Sequence, residues 1–458
     1  MIHQYKNNGY NIVIDVASGS IHAVDEVSYS IIALYQTHTK AQIITQILAE
    51  YQDQPNITEQ VINDVLSEIE LLKQQGQLFS QDIYAPVAAD FKNRQSVVKA
   101  LCLHMAHDCN LRCRYCFADE GEYKTTNRDL MPFSVGKKAL DYLIKNSGSR
   151  QNLEVDFFGG EPLLNFAVIK DLVAYARKQE KIYHKNFRFT LTTNGLLLDD
   201  EVMYFVQKEM SNIVLSLDGR KMVHDRFRVS KNGQGSYDLV LPKFLKMAEM
   251  LQQKNYYIRG TYTKYNTDFT TDILHLADLG FKQLSLEPVV APSDADYALT
   301  EADLPQLYKE YDRLAAEMAK RHQTEREFTF YHYMIDLMGG PCIVKRISGC
   351  GVGTEYLAVT ATGDLYPCHQ FVGIPQFLLG NLDTGIVNHK IREQFSACNV
   401  YSHKECQDCF ARLFCSGGCA ANAFNATGDI TGIYELGCKL HKKRIECAIM
   451  LQVAQNIN

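Results

Sequence analysis

Residues 97–116 read VVKALCLHMAHDCNLRCRYC. An apolar run, Val97–Ala106, breaks into a short polar loop carrying Cys109, Cys113 and Cys116. Three residues separate the first two cysteines and two the next, with Tyr115 before the last. The run has the composition of a buried strand. Three thiolates on one short loop can bind three irons of a 4Fe–4S cube and leave the fourth open. A zinc site would want a fourth ligand in a C-x2-C or similar pairing. Unliganded thiols are the remaining alternative.

Downstream, strand-like runs recur at Leu153–Phe158, Phe187–Thr192, Asn212–Leu217, Tyr256–Tyr262 and Gln283–Pro288. Helical stretches such as Phe166–Glu180, Asp199–Lys208, Ser236–Lys254 and Phe269–Leu279 lie between them. Six β/α units over 97–290 predict an α/β fold, a parallel sheet curved into a partial (β/α)6 barrel. Such folds bind ligands at the carboxyl ends of their strands, where the cysteine loop sits. Gly159-Gly160-Glu161-Pro162 follows the second strand. Its glycines would let the backbone approach a ligand, with Glu161 supplying charge; alone it reads equally well as a turn.

Residues 1–80 read as a small module of their own. Ile12, Ile14 and Val16 alternate with Asn11, Val13 and Asp15, and a second strand, Ser20–Asp25, follows the turn Ala17-Ser18-Gly19. Helical patterns cover 26–36 and 39–51, and Val61, Val65, Ile69 and Leu72 are expected to line one face of a third helix, opened by Thr58 and closed by Gly76. This order suits a winged-helix-like domain. Residues 81–96 are polar, without clear period, and read as a linker; 291–341 read as a helical connector. Residues 342–440 are rich in cysteine and glycine and would be held together mainly by metal, before a last helix within 441–458.

The chain has 458 residues, 46% of them hydrophobic, and a formal charge of −6. That balance argues against a nucleic-acid footprint or a basic membrane surface, and no apolar run reaches the ~18–20 residues of a membrane span. The first eight residues lack a signal-peptide pattern, so a cytoplasmic location is expected. In that reducing compartment fourteen cysteines point to metal rather than disulfides. Cys102 and Cys447 stand apart in apolar surroundings and read as buried thiols.

The triplet Cys109, Cys113 and Cys116, with Gly159-Gly160-Glu161-Pro162 after the next strand, resembles the radical S-adenosylmethionine (SAM) superfamily. The resemblance implies SAM contacts at Tyr115, Gly159, Gly160 and Glu161, at Thr193 and Asn194 after Thr192, at Ser216 facing the ribose, and at Arg228 as a fork on the SAM carboxylate. Strand-end caps and a solvated arginine are the bland alternatives for the last four. Cys350, Gly363, Cys368, Cys406, Cys409, Cys415, Cys419 and Cys438 match, in order and spacing, a SPASM domain, the twin-cluster extension of peptide-modifying radical SAM enzymes. Carried over, Cys406, Cys409, Cys415 and Cys438 hold one cluster and Cys350, Cys368 and Cys419 the other, three 4Fe–4S clusters in all. Cys342 is the candidate for the missing fourth thiolate, with seven residues between it and Cys350; without it one iron would stay open to a substrate thiolate, the reading favoured here.

In sulfatase-maturing relatives an aspartate, the proposed base, follows the cysteine matching Cys368; here that position is His369, which can take a proton near neutral pH or be a surface histidine. The order of modules, and the opening His3-x-Tyr5-Lys6-x-Asn8-Gly9-Tyr10-Asn11-Ile12-Val13-x-Asp15, most resemble the SCIFF maturases. That implies a leader-peptide recognition element in 1–80 binding a cysteine-rich precursor by strand addition. It also implies thioether formation through a 5′-deoxyadenosyl radical, and reduced ferredoxin or flavodoxin as electron donor. Formylglycine formation by a sulfatase maturase and an iron–sulfur DNA-binding regulator are the competing functions.

Overall fold

The structure, a computed structural model, describes residues 1–88, 90–124, 127–337 and 342–457. It opens with an antiparallel sheet, β1 (Ile2–Asn7), β2 (Tyr10–Asp15) and β3 (Ser20–Val24). Asn8 and Gly9 both take positive φ, 47° and 86°, the two-residue turn whose twist suits a hairpin. Three helices follow, α1 (Glu26–Leu34), α2 (Lys40–Glu50) and α3 (Glu59–Gln74). The strand β1 was not anticipated, because His3, Gln4 and Lys6 leave it without an apolar alternation.

The alternation read in β2 is real, but its apolar side does not face the module's own helices. Ile12, Ile14 and Val16 join the core of the large sheet, whereas Val13 packs with Val27, Ile31, Ile43, Ile47 and Ile62. Both faces of β2 are therefore buried, and the module is welded to the rest of the molecule. The face of α3 is also turned from the expected one: Ile62, Leu66 and Ile69 are buried, while Val61 is 36% exposed. Val65 and Leu72 flank that core, partly buried.

Residues 81–96 form a strap rather than a free linker. Tyr84, Ala88 and Phe91 lie at helical spacing around the short helix α4 (Ala85–Ala88) and pack beside Ile347, Val400 and Leu413. Asp82 accepts from Arg412 at 2.8 Å and from the Tyr401 hydroxyl at 3.0 Å.

The six expected strands are present: β4 (Ala100–Ala106), then, after the short β5 (Leu111–Cys113), β6 (Asn152–Gly159), β7 (Asn186–Thr193) and β8 (Asn212–Ser216). After the short β9 (Arg228–Ser230) come β10 (Tyr256–Tyr262) and β11 (Gln283–Pro288). They pair in parallel and in chain order. The intervening helices are α5 (Phe133–Asn146), α6 (Phe166–Tyr183), α7 (Asp200–Glu209), α8 (Lys221–Phe227), α9 (Tyr237–Met250) and α10 (Phe269–Asp278). Leu101, Leu103, Leu153, Val155, Phe157, Phe189, Leu191 and Ile213 are all 0% exposed in the shared core. The alternate positions Cys102, His104, Asp156, Thr190, Ser216, Arg259, Ser285 and Glu287 point to the opposite face. A parallel sheet covered on both faces is apolar throughout; this one presents a polar concave side, which a lumen requires.

After α11 (Leu304–Arg321), β12 (Thr329–Phe330) extends one edge of the sheet, parallel to β11. The cysteine-rich region extends the other. Beyond α12 (Ile343–Ser348), β13 (Tyr356–Val359) pairs in parallel with β4, from Tyr356↔Ala100 to Val359↔Leu103. The antiparallel strands β14 (Asp364–Tyr366), β15 (Gly380–Asn381) and β16 (Gly385–Ile386) complete an eleven-stranded sheet. Backbone pairing thus fastens this region to the barrel, contrary to the expectation of a segment held mainly by metal. It closes with α13 (His389–Ala397), α14 (Arg412–Cys415), α15 (Ala420–Thr427) and α16 (Glu435–Ile457). The last helix begins six residues before the expected 441 and carries Cys438, so a boundary at 440 would cut through it. No helix among the described residues is long and apolar enough to cross a membrane.

Candidate functional site

The loop of Cys109, Cys113 and Cys116 leaves the carboxyl end of β4. Its β5 segment is clipped antiparallel to β9, pairing Cys113 with Arg228. Cys116 N donates to Cys113 O at 3.0 Å, closing a turn. Cys109 Sγ accepts from Leu111 N at 3.4 Å and lies 3.7 Å from Asn194 Nδ2. The three thiols stand within electrostatic reach of one another. Burial, and then the Glu161 carboxylate, push Cys109 up to about 12. Cys113 also rises to about 12, burial outweighing the Arg228 charge. Such thiols keep their protons unless a metal displaces them.

The glycines have a role the sequence reading did not give them. A Cβ on Gly159 would collide with the Ala106 carbonyl, and one on Gly160 with that of Asp108. Gly160 N donates to Ala106 O at 2.8 Å and Glu161 N to Asp108 O at 2.9 Å. The motif locks the end of β6 against the cysteine loop. Glu161 is 1% exposed. Its Oε1 accepts from Thr193 Oγ1 at 2.8 Å and Leu163 N at 3.1 Å, and its Oε2 from Asn194 N at 2.8 Å. Burial raises its carboxyl to about 7 against these donors. The charge expected to be available to a ligand is largely engaged in tying β6 to β7. Asn194 then reaches across to Asn110 Oδ1 at 2.7 Å.

On the facing side Asp218, 0% exposed, organises Tyr115 and Arg228. Its Oδ2 accepts from Tyr115 Oη at 2.5 Å and Arg228 Nε at 3.1 Å, and its Oδ1 from Thr261 N at 3.0 Å. The Arg228 guanidinium lies 5.6 Å above the Tyr115 ring. Burial alone would lower the Arg228 pKa; the Asp218 carboxylate, Tyr115 and Cys113 together reverse this. Ser216, half-buried, ends β8 two residues before Asp218. The sequence reading named Tyr115, Ser216 and Arg228 but missed Asp218, whose signal is its place just past a strand end.

In the cysteine-rich region the thiols fall into two neighbourhoods. Cys415 is within electrostatic reach of Cys438, Cys406 and Cys409, and Cys368 of Cys419 and Cys350. These are the sets that the SPASM resemblance implies. Among the described residues no three Cys, His or carboxylate side chains converge as a single metal ion would need. The soft, preponderantly thiol chemistry of the two sets fits iron–sulfur ligation. Cys342 is exposed, and Cys102 and Cys447 are buried, as apolar thiols would be.

Cys350, Cys368 and Cys419 line a cavity of about 740 Å³, which reaches the early residues Ala100 of β4 and Asp156 of β6. His369 lines it too, with Nδ1 3.3 Å from Tyr356 Oη. Its ring centroid lies 5.6 Å from that of Phe117, next to Cys116. Burial, aided by Arg259, lowers its pKa to about 4, so His369 is neutral at pH 7 and not poised to titrate there as expected. Asp156, missed by the sequence reading, is raised by burial to about 7. Its signal was weak, since the same strand also carries Glu154 two residues earlier.

The profile of a family described as 4Fe-4S single cluster domain matches residues 98–242. The cysteine-type anaerobic sulfatase-maturating enzyme of Clostridium novyi (strain NT) is 22% identical over 69% of this chain and 86% of its own length. The radical SAM cyclopropyl synthase TigE of Paramaledivibacter caminithermalis is 22% identical over 93% of this chain and 89% of its own. Native anSMEcpe, solved with AdoMet and the Kp18Cys peptide, superposes with a TM-score of 0.63 at 21% identity, covering 78% of this chain and 99% of that one. Streptococcus suis SuiB bound to S-adenosylmethionine gives 0.53 at 16% identity, covering 94% and 97%. With the cysteine loop at the carboxyl ends of the parallel strands and two further thiol sets beyond it, the chain shares the fold of these solved structures, matches the 4Fe-4S single cluster domain over residues 98–242, and is similar over most of its length to peptide-modifying radical SAM enzymes.

Proposed function

We propose that this protein closes intramolecular thioether bonds, cysteine sulfur to carbon, in a ribosomally made, cysteine-rich precursor peptide whose leader binds the winged-helix-like module of residues 1–80. Cys109, Cys113 and Cys116 hold the cluster that engages SAM. Cys406, Cys409, Cys415 and Cys438 hold one auxiliary cluster, and Cys350, Cys368 and Cys419 another. When bound, the reduced first cluster and SAM supply a carbon radical able to take a hydrogen atom from an unactivated substrate carbon.

The chain's own residues bind, orient and exclude water. Asp218 holds Arg228 and Tyr115 ready for the SAM carboxylate and adenosyl group. Thr193, Asn194 and Ser216 line the strand ends beside them. His369, the base expected from the sequence, is held near 4 in the cavity, too low to take a thiol's proton readily, and there it can orient substrate through its ring nitrogens instead. Reduced ferredoxin or flavodoxin is the expected electron source.

The observation that carries the reading is what the opening signature does. His3 stacks on Phe410 at 3.6 Å, and its Nε2 meets Glu446 at 2.9 Å. Tyr5 Oη donates to Glu446 O at 2.9 Å and Asn8 Nδ2 to Asp312 O at 3.0 Å. Asp15 Oδ2 accepts from Ser80 N at 2.9 Å. Of the residues that resemble the SCIFF maturases, His3, Tyr5 and Asn8 fasten the first sheet to the cysteine-rich region, α16 and α11, and Asp15 ties it to the end of its own module, leaving β3 as its outer strand, an edge to which a leader can add. The same residues argue against a DNA-binding module, since 1–80 hold three lysines, no arginine and nine Asp and Glu.

The test is incubation with SAM, a reductant and a cysteine-rich precursor. Each bond should leave the peptide lighter by two hydrogens and with one thiol fewer open to alkylation. A product that reacts with hydrazides instead would mark formylglycine formation, the reading favoured by likeness to the sulfatase-maturating enzymes.

A further inference from the structure

Cys398 was left without a role by every spacing pattern in the sequence. It caps the carboxyl end of α13, its N–H donating to Gln394 O and Phe395 O. The cavity lined by Cys350, Cys368 and Cys419 is lined by Cys398 as well. Five thiols line the cavity, not one alone: Cys415, which belongs with Cys406, Cys409 and Cys438, reaches it too, and Cys398 is the one that neither set claims. Cys398 and Cys350 lie within electrostatic reach of each other, as do Cys350, Cys368 and Cys419.

Two backbone features bring the Cys398 turn to Cys350. Val400 N donates to Ile347 O at 3.1 Å, pinning the turn to the last residues of α12, just before Cys350. Just after Cys350, the Cα of Gly353 lies against the Phe395 ring, close enough that a Cβ would stand 2.7 Å from Cγ. The thiol itself is oriented: Sγ is 3.6 Å from His403 Nε2 and 3.7 Å from Ile430 O. His403, 4% exposed, is fixed in turn by Nδ1 at 2.8 Å from Thr431 O.

Cys342 has none of this. It is exposed, as Cys350 and Cys419 also are, but unlike them it is not among the described residues that line the cavity. The helix Ile343–Ser348 separates it from Cys350, about 9 Å of rise for six residues.

We propose that Cys398, not Cys342, supplies the fourth thiolate to the cluster held by Cys350, Cys368 and Cys419. This rests on the cofactor assignment proposed above and alters it in one respect: the cluster is closed. It overturns the expectation of an open iron at which a substrate thiolate would bind. Substrate sulfur then lies in the cavity beside the cluster rather than on it, and the cluster can exchange electrons with it only without a shared bond.

The test uses the full chain, reconstituted anaerobically with iron and sulfide, in a Cys109/Cys113/Cys116→Ala background so that only auxiliary clusters are seen. Cys398→Ala should lose up to one cluster's iron, or show a three-iron paramagnetic signal on mild oxidation that the parent lacks. Cys398→Ser should retain the iron with a shifted spectrum. Cys342→Ala should match the parent in both. Unchanged iron and spectrum in Cys398→Ala, or the change appearing in Cys342→Ala instead, overturns the proposal. An alkylation map of the unmutated enzyme guards against a variant that fails to fold: Cys398 should be protected when clusters are loaded and labelled once they are stripped, with Cys342 labelled in both. Equal labelling of Cys398 in the two states also overturns it. Absence of any peptide product from the parent enzyme would count against thioether formation while leaving these readouts intact.

Discussion

The two cysteine regions are built in opposite ways. Cys109, Cys113 and Cys116 lie within eight residues, on a loop clipped by β5–β9 and wedged against Gly159 and Gly160. The remaining ligand candidates run from Cys350 to Cys438 over short helices and turns, and only β13 to β16 tie that stretch into a sheet. In the first region the backbone sets the thiols; in the second, clusters would complete what the backbone begins. Removing metal should therefore silence the first region without unfolding it and loosen the second.

The largest expected effect sharpens that contrast. Cys109, Cys113 and Cys116 changed together to Ala should abolish reductive SAM cleavage, a loss of at least about 10³-fold, as for other groups that carry the chemistry itself, with little change in melting temperature. Chelating all the iron should, in contrast, open residues 390–440 to proteolysis while the barrel resists. Equal proteolysis with and without iron would erase the distinction.

A smaller effect is expected at Asp218. Asp218→Ala leaves the Arg228 guanidinium, 12% exposed, without its carboxylate, and breaking such a buried pair costs about 3–5 kcal/mol. SAM affinity, measured by equilibrium binding, should fall as well. Asp218→Asn should recover part of the stability. If Asp218→Ala binds SAM as the parent does, Arg228 is not held for that ligand.

The smallest effect concerns Asp156 on the cavity side. Its carboxyl titrates near 7 in the fold, against an ordinary value near 4 when unfolded. Between these values the unfolded chain is ionised while the fold prefers the proton. Stability relative to Asp156→Asn should therefore fall as pH rises from about 4 to about 7 and level off above. With the cavity open to water the span should not exceed about 2 kcal/mol. Urea melts at pH 5 and pH 8 would show it; a flat difference would mean that the carboxyl is solvated in the fold.

The six barrel strands were legible because their helix-facing positions form nearly unbroken apolar alternation, and the cysteine spacings because ligand geometry forces them. What stayed hidden depended on partners far away in the chain. Glu161 is explained by Thr193 and Asn194, and no local pattern announces that they meet. The same holds for Asp218 and Arg228, and for Cys398, which comes near Cys350 because the turn after α13 is pinned to the end of α12. The helix face of α3 was misjudged because Val61 and Ile62 are both apolar, and only packing against β2 chooses between them.

The strand β4 has a consequence for electron movement. It ends three residues before Cys109, and along its flank runs β13, which leads through β14 to Cys368. One ladder of backbone hydrogen bonds spans the two regions, without a hinge between them. On the cofactor assignment proposed here, an electron passing between the two sites tunnels across a fixed gap, and its rate should be indifferent to solvent viscosity.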